Sequence, residues 1–342
     1  MARRPTIKDV AREAGVSPAT VDRALNGRTT VREETLRKIA DAARAVGYHG
    51  RGVLDHRLDA TVPELRLGVI LLKEKQAFYQ SFRAELERAL SERSDIRGTL
   101  DLRFAQSQSP EEFSDLLSDL GRRSDAVAAI AVNHLSLDRV VQELKDKGVP
   151  TFSLLNDFAQ GIRRNYIGLN NMKVGRNAAW MLAQVASPGK LAIFVGGNRW
   201  HGHDLREVGF RAYTRENAPG YSVLEALVNL ETRQLTYEAT LNLLDRYPDL
   251  RGIYVAGGGM EGAIMALRET RPAGKVALVV NEVTPDSRAA LLDGYVQMIT
   301  ETPLREVCVT LVDQALRALA APDATATEQL FLDPRIILPE LL

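Results

Sequence analysis

In the stretch SPATVDRALN, residues 17–26, the residue types fit chemistry on nucleic acid. Wound as a helix, it turns Ser17, Ala19, Thr20, Arg23 and Asn26 to one side and Val21, Ala24 and Leu25 to the other. Hydroxyl and amide groups suit the edges of base pairs, and a guanidinium suits phosphate or guanine. A slim helix with such a face fits the major groove of DNA. The alternative for the same pattern is a helical hairpin whose polar side is only solvated.

Such a helix needs a partner to aim it. Upstream, Ile7, Val10 and Ala11 fall at i, i+3 and i+4 and predict a helix from Ile7 to Glu13. Thr6 is its N-cap, and Asp9 sits in the first turn, where the helix dipole favours an acid. Gly15 supplies the backbone freedom for the turn. Ser17 then caps the second helix, with Pro18 at its first position, where a missing N–H costs nothing. A third helix, 33–46, turns Leu36, Ile39, Ala40 and Ala43 inward, and Gly47 stops it. These three helices are expected to share one small core.

Charge agrees with this placement. The chain of 342 residues has no net charge, but residues 1–32 hold seven basic side chains against three acidic ones, a local +4 that leaves the remainder at −4. A basic head on a mildly acidic body is the footprint expected of a DNA-binding end. The one cysteine, Cys308, lies in the apolar run VCVTLV and reads as a small core residue. Arg3 and Arg4 are followed by no apolar segment of the secretory kind, and no run approaches the ~20 apolar residues of a membrane span. A cytoplasmic protein with no membrane contact is expected.

The run TIKDVAREAGVS, followed by ATVDRALNG, resembles the N-terminal headpiece of the LacI/GalR family of bacterial transcription regulators. The family pattern is close to T-I-x-D-V-A-x-x-A-G-V-S-x-x-T-V-S-R-x-L-N, and the likeness continues through Val31, Glu34 and Thr35 to Gly47-Tyr48. One departure is Asp22, where the family usually has Ser. The resemblance implies base or phosphate contacts from Thr20, Arg23 and Asn26, backbone positioning by Thr6, Ser17 and Arg28, and variable base reading at Pro18 and Ala19. It also implies a hinge helix within 49–63 that inserts an apolar wedge into the minor groove. Leu54 and Leu58 are the candidate wedges, although strict register with the family puts Arg57 at that place. A flexible linker is the alternative, since Gly50 and Gly52 disfavour a helix.

From Leu65 the pattern changes. LRLGVILL is a continuous apolar run, as in a strand buried on both faces. Strands then alternate with helices as far as 292, the mark of an α/β protein with parallel sheets. The expected fold is a small all-α helix-turn-helix domain at 1–48, a hinge at 49–63, and two doubly wound α/β lobes at 64–342. The lobes divide near 156–172, and the chain crosses back near 284. By resemblance the body has the periplasmic-binding-protein type I fold, whose lobes close on a small molecule. Ligands of such sheets bind beyond the carboxyl ends of the strands.

Strand-end residues are therefore the candidates for effector binding. Phe78 and Tyr79 follow the first strand and suit stacking on a sugar ring, or start an amphipathic helix. Asn156 and Asp157 end another strand. Arg206, in R-x-x-G-F with Gly209 and Phe210, is placed where the family clamps ligand hydroxyls or carboxylates, and a guanidinium fork suits that task. Trp200, His201 and His203 form a polar loop rim, with His201 the candidate for ligand contact; two histidines are too few to hold a metal. Where the family usually has Asn-Asp, this chain has Gly257-Gly258-Gly259, so Asn281 and Glu282 are the replacement acceptors.

Gly257, Gly259 and Gly262 also trace the outline of a dinucleotide-binding motif, with Glu282 further on. An NAD-dependent oxidoreductase is thus the alternative from another class. It leaves the headpiece unexplained, and no acid–base pair follows. The sequence predicts a non-enzymatic repressor without cofactor or metal. It would bind palindromic double-stranded operator DNA as a homodimer and respond to a sugar, polyol or sugar phosphate. No C-terminal heptad run points to a tetramer.

Overall fold

The computed structural model describes residues 4–26, 31–197, 199–322 and 326–342, with the side chains of 33 and 58–61 left out. The chain divides into two compact units, 1–64 with 93–98, and 65–92 with 99–342.

The first unit contains the headpiece. Helices α1 (Ile7–Ala14), α2 (Pro18–Asn26) and α3 (Glu33–Ala45) follow the predicted order. The Asp9 carboxylate accepts from the Thr6 amide at 2.9 Å and from its hydroxyl at 2.7 Å, which fixes the start of α1. Gly15 ends that helix at φ 66, a left-handed conformation that glycine adopts without strain. Ser17 accepts from the Thr20 amide at 3.2 Å and starts α2. Val10, Val21, Ala24, Leu36 and Ile39 close the core.

The segment 49–63 is a helix, α4 (Arg51–Thr61), despite Gly50 and Gly52. Leu54 is fully buried in the headpiece core, and Arg57 donates to the Ala24 carbonyl at 3.0 Å. Tertiary packing outweighs weak local propensity here. It also corrects the expectation for Leu54: a leucine spent on this core is not presented as a wedge. The Leu58 side chain and Arg28 lie outside the described residues.

The second unit holds two lobes. The first is built on a sheet of β1 (Glu64–Leu72), β2 (Arg97–Ala105), β3 (Ala126–Ala129), β4 (Thr151–Leu154), β5 (Asn165–Leu169) and β12 (Glu328–Leu332), in the order β12-β5-β4-β3-β1-β2. The second is built on β6 (Lys190–Val195), β7 (Ser222–Val223), β8 (Leu227–Val228), β9 (Leu250–Val255), β10 (Ala277–Asn281), β11 (Met298–Glu301) and β13 (Arg335–Ile337). Its order is β13-β11-β10-β9-β6-β7, with β8 also on β6.

The chain passes between the lobes three times. It leaves the first at β5, whose next element, α8 (Asn171–Val185), packs on β9 and β10. It returns after β11 through Thr302-Pro303 into α13 (Leu304–Ala320), which packs on α5 (Ala77–Ser91). It crosses again between β12 and β13. The return predicted near 284 is thus corrected to 302–303, because α12 (Pro285–Leu292) and β11 complete the second lobe first. Cys308 is buried within α13.

Asp157 is corrected as well. Instead of facing a ligand, it forms a buried pair with Arg163, whose Nε and Nη2 donate at 2.6 and 2.7 Å. Ser153 and Gln329 also donate to it. Burial raises this carboxyl, and Arg163 with the other donors more than offsets that, leaving it below the ordinary carboxylate range. Removing one partner of such a pair strands a buried charge. Asp157→Ala is expected to lower unfolding free energy by about 3–5 kcal/mol in urea titrations at neutral pH. The native carboxyl is the more acidic, so its stabilisation is present above the unfolded value of about 3.9 and is lost as pH falls below it. The gap between wild type and variant should therefore narrow on acidification; a gap independent of pH would contradict this.

Candidate functional site

Two surfaces carry the chemistry, one in each unit. On the headpiece, Ser17, Pro18, Ala19, Arg23 and Asn26 are exposed along α2, and Thr20 and Thr6 are half-buried. The Arg23 guanidinium is steadied by contacts of 3.3 Å to the Ala19 carbonyl and the Thr20 hydroxyl. The unusual Asp22 accepts from Asn26 at 2.7 Å, one turn away. That bond occupies part of the amide expected to read a base, and it orients what remains.

In the body, a cavity of about 680 Å³ lies between the lobes at the carboxyl ends of the strands. Phe78, Tyr79, Arg206, Asn281 and Glu282 line it, as does Asn156. His201 does not; it starts α9 (His201–Asn217), and the histidine that faces the cavity is His203, two residues on.

Arg206 is held by two neighbours. Its Nε donates to Asn171 Oδ1 at 2.7 Å and its Nη1 to the Ala256 carbonyl at 2.5 Å. The rest of the R-x-x-G-F run explains how it gets there. A side chain on Gly209 would strike the Met172 backbone of α8, and one on Gly175 would strike the Arg206 backbone, so the two helices touch main chain to main chain. Phe210 stacks on Tyr254 at 5.5 Å in the core behind.

The polar floor comes from β10. Asn281 donates to the Val255 carbonyl at 2.7 Å, and its Oδ1 is buried with no hydrogen-bond partner among the described residues. Glu282, at φ 65, accepts from the Thr302 amide at 3.2 Å and from the Thr302 hydroxyl, in the connection that crosses back to the first lobe. Burial pushes its carboxyl up to about 7. Burial also holds His203 down to about 4, so the ring is neutral; its Nδ1 accepts from the Gly196 amide at 3.0 Å, which leaves the proton on Nε2.

Sequence reasoning missed Lys73 and Glu231. Lys73 follows β1, and its ammonium lies 3.1 Å from the Glu231 carboxylate, which reaches in from beyond β8. Glu231 belonged to no motif, since its place depends on a loop in a left-handed conformation. Asn171, which orients Arg206, lay in the stretch read only as a connection between the lobes; it is the first residue of α8.

The glycines of 257–262 answer to packing. A side chain on Gly257 would meet His203 at 2.6 Å and Glu231 at 2.8 Å. One on Gly262 would strike the backbone at Arg233 and Tyr237 in α10 (Arg233–Arg246). The space that a dinucleotide motif keeps for pyrophosphate is taken by the chain's own side chains at Gly257. Among the described residues, no group of three His, Cys, Asp or Glu is placed to hold a metal, and no helix is long and apolar enough to cross a membrane.

Comparison with known proteins fits both surfaces. Residues 6–50 match the family of bacterial regulatory proteins, lacI family, and residues 67–321 match the periplasmic binding protein domain. The HTH-type transcriptional regulator CelR of Thermobifida fusca is 27% identical over 91% of this chain and 92% of its own length. The HTH-type transcriptional regulator GntR of Pseudomonas aeruginosa is 26% identical over 78% and 75%. Among solved structures, an ABC transporter solute-binding protein from Burkholderia graminis, in complex with D-arabinose, superposes with a TM-score of 0.74 at 19% identity. That match covers 82% of this chain and 96% of the other, and it establishes the shared fold. None of these similarities points to an oxidoreductase. The chain belongs to the periplasmic binding protein domain family and, with a lacI-family headpiece ahead of that domain, is a DNA-binding transcription regulator of the LacI/GalR type.

Proposed function

We propose that the protein is a non-enzymatic cytoplasmic repressor that binds a two-fold symmetric operator as a homodimer, and that a small polyhydroxylated effector in the interlobe cleft sets its affinity for DNA. The observation that carries the reading is the cleft itself. Its volume suits a sugar-sized molecule, and polar groups converge on it from both lobes. Arg206 offers hydrogen bonds from a fixed guanidinium, the Asn281 Oδ1 lacks a donor, and Phe78 offers an apolar ring face. An aromatic face beside fixed donors and acceptors suits a ring with hydroxyls around its edge.

On the DNA side, α2 would enter the major groove with Ser17, Pro18, Ala19 and Thr20 leading and Arg23 and Asn26 behind. The Asp22–Asn26 bond leaves an acidic group on this face, a natural acceptor for a cytosine amino group. Closure of the lobes on an effector would change which headpiece arrangement the dimer favours. Moving an operator from nearly full to nearly empty takes about 5.5 kcal/mol of differential affinity.

The test is fluorescence anisotropy on labelled fragments from upstream of the protein's own coding region, at two salt concentrations, with a panel of sugars, polyols and sugar phosphates. One fragment should bind tightly, with affinity that falls steeply as salt rises, and at least one compound should alter that affinity. Weak binding equal on every fragment, unchanged by the panel, would sink the reading. Arg23→Ala should weaken the specific complex by about 1–3 kcal/mol if the guanidinium reads a base. An unchanged affinity on the cognate site removes Arg23 from the interface. Arg206→Ala should abolish the response to the active compound and leave ligand-free DNA affinity as it was. A variant that responds at the same concentration would show that the effector sits elsewhere.

A further inference from the structure

The Lys73–Glu231 pair is unlike the surface ion pairs of this chain. It joins the two lobes across the cleft, with Lys73 Nζ 3.1 Å from Glu231 Oε2 and 3.3 Å from the Glu231 carbonyl. Both side chains are mostly shielded, at 24% and 13% exposure, so salt screens their attraction less than it would an exposed pair.

Both ends are also carried on unusual backbone. Lys73 has φ 43, Glu231 has φ 55, and Leu230 before it has φ 49. Left-handed backbone at a residue with a side chain is strained, and it persists only where its surroundings over-determine it. Those surroundings are visible. Asn229 Oδ1 accepts from the Glu231 amide at 2.9 Å, while its Nδ2 donates to Thr236 Oγ1 at 2.9 Å and to the Gly258 carbonyl at 3.0 Å. The carboxylate sits in a seat cut for it. The Gly258 amide donates to Oε1 at 3.2 Å, His203 Nε2 lies 3.7 Å away, and a side chain on Gly257 would come within 2.8 Å of Oε1. Burial raises this carboxyl, and the Lys73 ammonium and the Gly258 N–H help to hold it below the ordinary carboxylate range.

We propose that Lys73 and Glu231 form a clasp that holds the lobes together before any effector enters. Neither side chain is spare: the second lobe strains its own backbone to present a carboxylate, and the first presents the matching cation from a strained position at the end of β1. Polar contacts between Trp200 and Gln108 (3.0 Å) and between the Gly202 amide and Asn156 (2.8 Å) join the same lobes without charge. The clasp adds a long-range attraction that draws the lobes together from a distance at which those short contacts have no effect. Effector entry then requires the pair to open, and the closed cleft is part of the ligand-free equilibrium.

This inference rests on the cleft assigned above but not on what fills it. Its test is run on the full chain without ligand, so its failure leaves the proposed effector role standing. Lys75 and Gln234 are exposed next to the two partners, and Cys308 is buried. Nitroxides attached after Lys75→Cys and Gln234→Cys would report the distance across the clasp by pulsed electron resonance. In the otherwise wild-type chain the expected distribution is narrow and short. Lys73→Met and Glu231→Gln should each move part of it several ångström longer. Lys73→Arg, which keeps the cation, should keep the short population and so separates loss of the charge from loss of folding. A wild-type distribution that is already long, or one that none of the variants changes, overturns the proposal.

Discussion

Main-chain contact between two helices is the constraint on which the cleft depends. Gly175 in α8 lies against the backbone of Arg206 in α9, and Gly209 lies against that of Met172. Any side chain at either position would push the helices apart, so the sequence keeps two glycines at a cost in helix propensity of about 1 kcal/mol each. In return α9 enters the cleft at one fixed depth. Arg206 then reaches Asn171 and the Ala256 carbonyl, and the remainder of its guanidinium is preorganised instead of ordered at the moment of binding. His203, on the same helix, faces the cleft by the same placement, and Glu231 and Gly257 pack around it.

Much of this was legible in the residues. The headpiece could be read because its signals are local: a capping threonine, a glycine turn, a serine–proline helix start and apolar positions at helical spacing. The strands of both lobes could be read because burial on two faces leaves continuous apolar runs such as LRLGVILL. Phe78, Asn281 and Glu282 could be placed because ligands gather at strand ends, and that rule follows from topology; Arg206 could be placed only by its resemblance to the family pattern.

What stayed illegible depends on contacts distant in sequence. Leu54 looks like an exposed wedge by position, yet it completes a core whose other members lie in α1, α2 and α3. Asp157 looks like a ligand carboxylate at a strand end, yet Arg163 and Gln329 claim it. β5 reads NYIGL, with polar and small residues in it, and β12 and β13 are edge strands, so they lack the long apolar run that marks β1. Glu231 had no local signal, because its direction is set by left-handed backbone and by an asparagine that bonds to two other segments.

The three passages between lobes also bear on synthesis. Neither lobe is a continuous stretch of chain: the first sheet takes its edge strand from Glu328–Leu332, and its α5 is covered by α13. While the ribosome is still making the second lobe, the first is present with one flank of β5 unpaired and one face of α5 uncovered. Unpaired strand edges and bare apolar surface are what make partly made domains adhere to one another. The nascent protein therefore completes its first lobe only after all of the second but β13 has been translated, and no single cut in the chain would release either lobe whole.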